Sequence, residues 1–129
     1  MKITLTNGTE LSPLTIYGVK REVQGANRDT LHFVFAVDDL EFEYLDSVFT
    51  AENCETITII EESGDSYIHK AYTIRAELTK KNMQIAPATE ETEAVYADRY
   101  VVAMAQRTDA ENQLKEMESA MMALAGVGV

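Results

Sequence analysis

Apolar residues alternate with polar ones through most of this chain and then, from Thr108 onward, recur every three or four residues. Period-two alternation turns one face of a strand toward a core and the other toward solvent, whereas the longer period draws a stripe along a helix. A chain with this switch belongs to the α+β class: a mostly antiparallel sheet or partly open barrel, with one short internal helix and a C-terminal amphipathic helix. It divides into a β-rich domain over 1–107, with the short helix near 40–49, and a helix over 108–125. That helix is either part of the same single domain or an oligomerisation element.

Ile3 and Leu5 open the alternation, and Asn7-Gly8 is a hairpin turn because both residues tolerate positive φ. Leu11 begins the return. Pro13 interrupts it, which places this strand at a sheet edge or restarts it near Leu14-Thr15-Ile16-Tyr17-Gly18-Val19. The small and polar residues of Gln24 to Asp29 predict a loop, after which Leu31, Phe33, Phe35 and Val37 share one strand face and form core. Asp38 or Asp39 is expected to cap a short helix whose Phe42, Leu45, Val48 and Phe49 make a buried stripe.

A second hairpin runs from Glu55 to Glu61, turns at Ser63-Gly64-Asp65 and returns over Tyr67 to Thr79, with Tyr72, Ile74, Ala76 and Leu78 on one side. Lys80 to Glu93, holding Pro87 and the Glu90-Glu91-Thr92-Glu93 run, predicts an exposed connection with room for one short strand around Met83 to Ile85. Val95 to Gln106 suits a strand by its Tyr96, Tyr100, Val102 and Met104 and a helix by its Ala, Met and Gln. The punctuation after it decides for a strand. Thr108-Asp109-Ala110-Glu111 is a capping box, so a helix starts there, and Gly126 marks its stop after about Ala125.

Within that helix Ala110, Leu114, Met117, Met121 and Leu124 lie at spacings of four, three, four and three, an a/d seam about two heptads long. Glu111, Asn112, Lys115, Glu116 and Glu118 occupy the other positions. A helix this short is marginal alone in water, so the seam must be buried against something. Either it packs on the molecule's own sheet, or it packs on another subunit or a partner protein. The flexible, polarisable Met117, Met121 and Met122 suit an adaptable binding surface and an irregular core equally.

Other functions find little footing. The 22 acidic against 11 basic residues leave a net charge of −11, which repels phosphate backbones, so no specific nucleic acid is expected as partner. No run of 18 apolar residues predicts a membrane span, and the opening Met1-Lys2-Ile3-Thr4-Leu5-Thr6 lacks the apolar stretch of a signal peptide. The single Cys54 cannot form an internal disulfide, which fits a reducing cytoplasm. Nucleophilic catalysis would have to be built on Cys54 with His32 or His69, and Cys54 at the mouth of a strand reads as a small buried hydrophobe. Neither histidine has a Cys or second His at metal-ligand spacing, and the Asp38-Asp39, Glu41, Glu43 cluster lacks a calcium loop's glycine turn. No catalytic residue, cofactor or metal is therefore expected.

Four stretches carry a resemblance. They are Met1 to Leu11; Gln24 to Leu31 with Phe33-Val34-Phe35; Leu45-Asp46-Ser47-Val48-Phe49-Thr50 with Asn53 to Ile59; and Met104-Ala105-Gln106-Arg107-Thr108-Asp109-Ala110-Glu111. In these the chain resembles small prophage-encoded proteins of Gram-positive gut bacteria that lie near tail and baseplate genes. The resemblance implies a non-enzymatic structural or assembly protein, cytoplasmic before assembly and then part of a virion. Its partners would be itself, as a homo-oligomer, or other phage structural proteins, met through the sheet edge and the terminal helix. From the residues alone, a monomeric adaptor using the same helix stays open as the alternative, and a small Cys-dependent hydrolase as a remote one.

Overall fold

A computed structural model describes the backbone of residues 1–127 and the side chains of residues 1–121. It holds two four-stranded antiparallel sheets and two helices, an α+β fold, with no closed barrel among the described residues. The first sheet has the order β2 (Glu10–Leu11), β1 (Lys2–Thr4), β5 (Thr56–Ile60), β6 (Ser66–Lys70); the second runs β3 (Thr15–Val23), β4 (Ala26–Ala36), β8 (Val95–Ala105), β7 (Ile74–Ala86).

The sheets meet through their alternating apolar faces. Ile3, Leu11, Ile57 and Ile59 from the first sheet and Leu31, Phe33, Phe35, Val102 and Met104 from the second enclose Leu45 and Phe49 of α1 (Phe42–Val48) and its C-terminal cap. Register explains the division, since Ile3 pairs with both Leu11 and Ile59 and so places all three on one face. The rings of Phe33 and Phe35 lie 5.4 and 6.0 Å from that of Phe49, tilted and edge-on, so one phenylalanine after α1 joins helix to sheet.

Several sequence expectations are corrected. The loop foreseen over Gln24 to Asp29 shrinks to Gln24-Gly25, both at positive φ (48° and 79°), and β4 starts at Ala26 directly opposite Val23. Two successive positive φ angles make a primed turn that matches strand twist, and Gln-Gly serves where Asn-Gly would be more familiar. The capping aspartates do not cap: Glu41 stands at the N-cap of α1 and makes no side-chain cap bond. Val37 lies just past β4 and is only partly buried.

The return strand expected over Tyr67 to Thr79 is two strands in different sheets. Ala71, at a φ of 67°, breaks the run, so β6 stays with β5 while β7 crosses to pair with β8. A bulge between Arg75 and Glu77 then shifts the alternation, placing Ile74 and Leu78 on opposite faces. The connection expected over Lys80 to Glu93 begins later, because β7 runs on to Ala86. Polar residues on both faces hid this strand. Its ladder with β8 continues beyond the core, where neither face needs to be apolar.

Candidate functional site

The helix α2 (Asp109–Val127) starts at the capping box: the Thr108 amide donates to Glu111 Oε1 at 2.8 Å, and the Glu111 amide to Thr108 Oγ1 at 3.2 Å. The same glutamate is gripped from the sheet. Arg28 on β4, almost wholly buried, donates from both terminal nitrogens to the Glu111 carboxylate, with Nη2 to Oε2 at 3.0 Å. Its Nε and Nη1 also donate to the carbonyls of Val23 (2.7 Å) and Gln106 (3.2 Å), so four of its five N–H donors are engaged. The Arg28 guanidinium, with the Thr108 amide, pulls the Glu111 carboxyl down to about 2.

A second clamp lies one turn on. Arg107 holds Glu55 through two bonds of 2.9 and 2.8 Å and reaches Asn112 at 2.9 Å, while Lys115 also bonds Glu55. Burial alone would push the Glu55 carboxyl up, but bonds from Lys115 and Arg107 outweigh it and hold it low. Beside this clamp, an open cleft of about 540 Å³ separates the helix from Thr56, Lys70 and Ala71.

These ties fix the base of α2 and leave its apolar stripe outside. Leu114, Met117 and Met121 are 57%, 61% and 67% exposed, and Ala110 is exposed as well. Leu124 continues the spacing, but its side chain lies outside the described residues. The helix runs to Val127, past the stop foreseen at Gly126. Sequence reasoning missed Arg28, Glu55 and Arg107. Arg28 looked like a loop residue, and ion pairs 52 to 83 residues apart leave no local pattern.

The other candidates are placed apart from this site. Cys54 is fully buried, and burial pushes its thiol up to about 12, opposed by Arg75, so it is held as the unreactive thiol. His69 on β6 sits edge-on to Tyr72. His32 on β4 lies on the outer face of the second sheet, stacked on Tyr17 at 4.6 Å. Arg21 on β3 donates to its Nε2 at 3.1 Å and reaches Glu77 on β7 at 3.3 Å. Opposite edges of a four-stranded sheet meet this way only if the sheet is curled over that face. Burial first, then Arg21, lowers the His32 pKa; its Nδ1 is the one buried side-chain polar atom without a partner among the described residues.

Among the described residues, no group of three His, Cys, Asp or Glu is placed to hold a metal ion, and no helix is long and apolar enough to cross a membrane. No protein-family model, no curated protein and no solved structure matches the chain.

Proposed function

We propose that this protein is a non-enzymatic assembly protein whose α2 stripe packs against the same stripe of a second copy. The observation that carries this reading is a helix pinned at its base by Arg28, Arg107 and Lys115 while Leu114, Met117 and Met121 face water. Full burial of such a side chain is worth about 1.5–3 kcal/mol, and each of these, more than half exposed, forgoes a share of it. Burial against another chain recovers that free energy without undoing the clamps. The resemblance to prophage tail and baseplate-associated proteins points the same way.

Charge favours parallel pairing. In the heptad frame set by Leu114 and Met117, Glu111 and Glu118 flank the seam on one side, Gln113 and Ala120 on the other. Antiparallel helices would set Glu118 against Glu111 of the second copy. Parallel helices set it against Gln113 instead, with no like charges opposed.

A Met117→Cys variant tests this, since parallel pairing brings residue 117 of both copies together and buried Cys54 does not compete. Mild oxidation is expected to give a covalent dimer. Adding Leu114→Glu and Met121→Glu should abolish it while the strand circular-dichroism signal persists. Failure of Met117→Cys to cross-link, or unfolding of the double glutamate variant, overturns the proposal. A wild-type chain that stays monomeric at high concentration points instead to an adaptor for a different protein.

A further inference from the structure

The outer face of the second sheet is covered by its own side chains, and that cover ties the two edges of the sheet together. Cross-strand register sets Tyr17 of β3, His32 of β4, Ala103 of β8 and Glu77 of β7 in one row. The Tyr17 ring lies flat on the His32 ring, and Arg21 of β3 spans the row to the opposite edge through His32 Nε2 and Glu77 Oε1. Beneath this bridge Ala103 and the neighbouring Val101 of β8 are wholly buried. His32 itself is 5% exposed.

The bonds dictate the protonation state of that ring. A guanidinium has donors and no acceptor, so Nε2, 3.1 Å from Arg21 Nη1, must accept. The proton of the neutral ring therefore sits on Nδ1, the buried atom without a hydrogen-bond partner. An imidazolium donates from both nitrogens. A second proton can go only to Nε2, where it turns the bond from Arg21 into a contact between two cations. Burial first, and then Arg21, make that proton harder to add; Lys81 of β7 works with them, while Glu77 and the Thr30 backbone oppose them. β8 presents only the uncharged Ala103 and Val101 here, and β3 only the phenol of Tyr17 besides Arg21.

We propose that the bridge from Arg21 to His32 and Glu77 is a proton-operated latch: a proton on His32 Nε2 expels Arg21, the β3 and β7 edges part, and Val101 and Ala103 are uncovered. Glu77 stays occupied when Arg21 leaves, because Lys81 holds it at 2.5 Å and Thr79 donates to it at 3.0 Å. Opening therefore leaves no carboxylate without a partner. The unfolded chain binds this proton near the ordinary value of 6.5 and the folded ring only below it. The closed latch thus contributes fully above that value and progressively less as pH falls beneath it. The Glu77 and Glu111 carboxyls are held below their ordinary 4.5, so the latch opens at higher pH than α2 loosens. The latch uses no residue of α2 and stands apart from helix pairing.

The test uses the full chain with spin labels at Lys20→Cys and Lys80→Cys, exposed positions on β3 and β7, diluted with unlabelled chain so that only distances within one copy count. Buried Cys54 is out of the label's reach. Nitrogen NMR of the imidazole at about pH 8 is expected to find the His32 proton on Nδ1. As pH is lowered from about 8 to about 5, the label distance should lengthen by several ångströms in step with protonation of the ring. His32→Gln supplies an amide oxygen that accepts from Arg21 and does not titrate, so its labels should stay at the short distance throughout. Arg21→Gln, at a partly exposed position, should move the His32 titration up toward 6.5 and give the long distance at every pH. A proton on Nε2 at about pH 8, a ring still unprotonated at about pH 5, or a wild-type distance that ignores the ring's titration overturns the proposal. So does the same lengthening in His32→Gln. Should His32→Gln fail to fold, Arg21→Gln decides, since a titration it leaves unmoved also overturns the latch.

Discussion

The two helices have the same kind of apolar stripe and opposite fates. In α1, Leu45 and the following Phe49 are wholly buried between the sheets, whereas in α2 Leu114, Met117 and Met121 are all more than half exposed. The polar contacts are distributed the other way. α1 starts without a side-chain cap, while α2 has a capping box and two clamps to the β-body. The short helix is held mainly by what it buries, with one exposed ion pair from Asp46 to Arg75, and the long one by ion pairs at its base. Three- and four-residue spacing says that a stripe needs cover, but not which chain provides it.

The largest effect should come from the buried stripe: Phe49→Ala removes the ring that touches Phe33 and Phe35 and is expected to cost about 3–5 kcal/mol in urea unfolding. A loss as small as that of a surface substitution would break the contrast. Next comes Thr108→Ala, which deletes the cap of α2 and should cost about 1 kcal/mol, read as loss of helical circular dichroism while the sheet signal holds.

Acid should loosen α2 before the core. The Glu111 carboxyl is held at about 2, below its ordinary value near 4.5, so its contribution is complete above that ordinary value and disappears as pH falls through the interval toward 2. Helical signal should decline across that window, and Glu111→Gln should remove this component of the decline. An identical acid profile in the variant would show that Arg28 does not hold the helix through this carboxylate. The smallest effect is expected from Leu114→Ala in dilute monomer, within about 0.5 kcal/mol, because the side chain has little cover to lose. A cost of several kcal/mol would place the stripe in the monomer's own core and end the comparison.

Where one face of a segment was apolar throughout, its pattern was readable. Leu31, Phe33 and Phe35 alternate because their face meets the first sheet, although the opposite face with Thr30, His32 and Val34 is buried as well, and Thr108 with Glu111 marks the start of α2 by a local hydrogen-bond exchange. Where that condition failed, reading failed. The outer half of β7 has no buried face to imprint a period, and the single chain over Tyr67 to Thr79 gave no sign that Ala71 would send its halves to different sheets. Of the candidate site, the spacing of Ala110, Leu114, Met117 and Met121 was visible, but the arginines that fix the helix were not.

The amino-acid order by itself determined the α+β class, the strands of alternating period and the helix after Thr108, since these follow from local sterics and side-chain spacing. Only the tertiary structure decided that one apolar stripe is enclosed and the other exposed, and that β3 and β6 lie at sheet edges. Burial and edge status depend on which distant segments come together. Arg28 and Glu111, 83 residues apart, form a pair that neither one's neighbours announce.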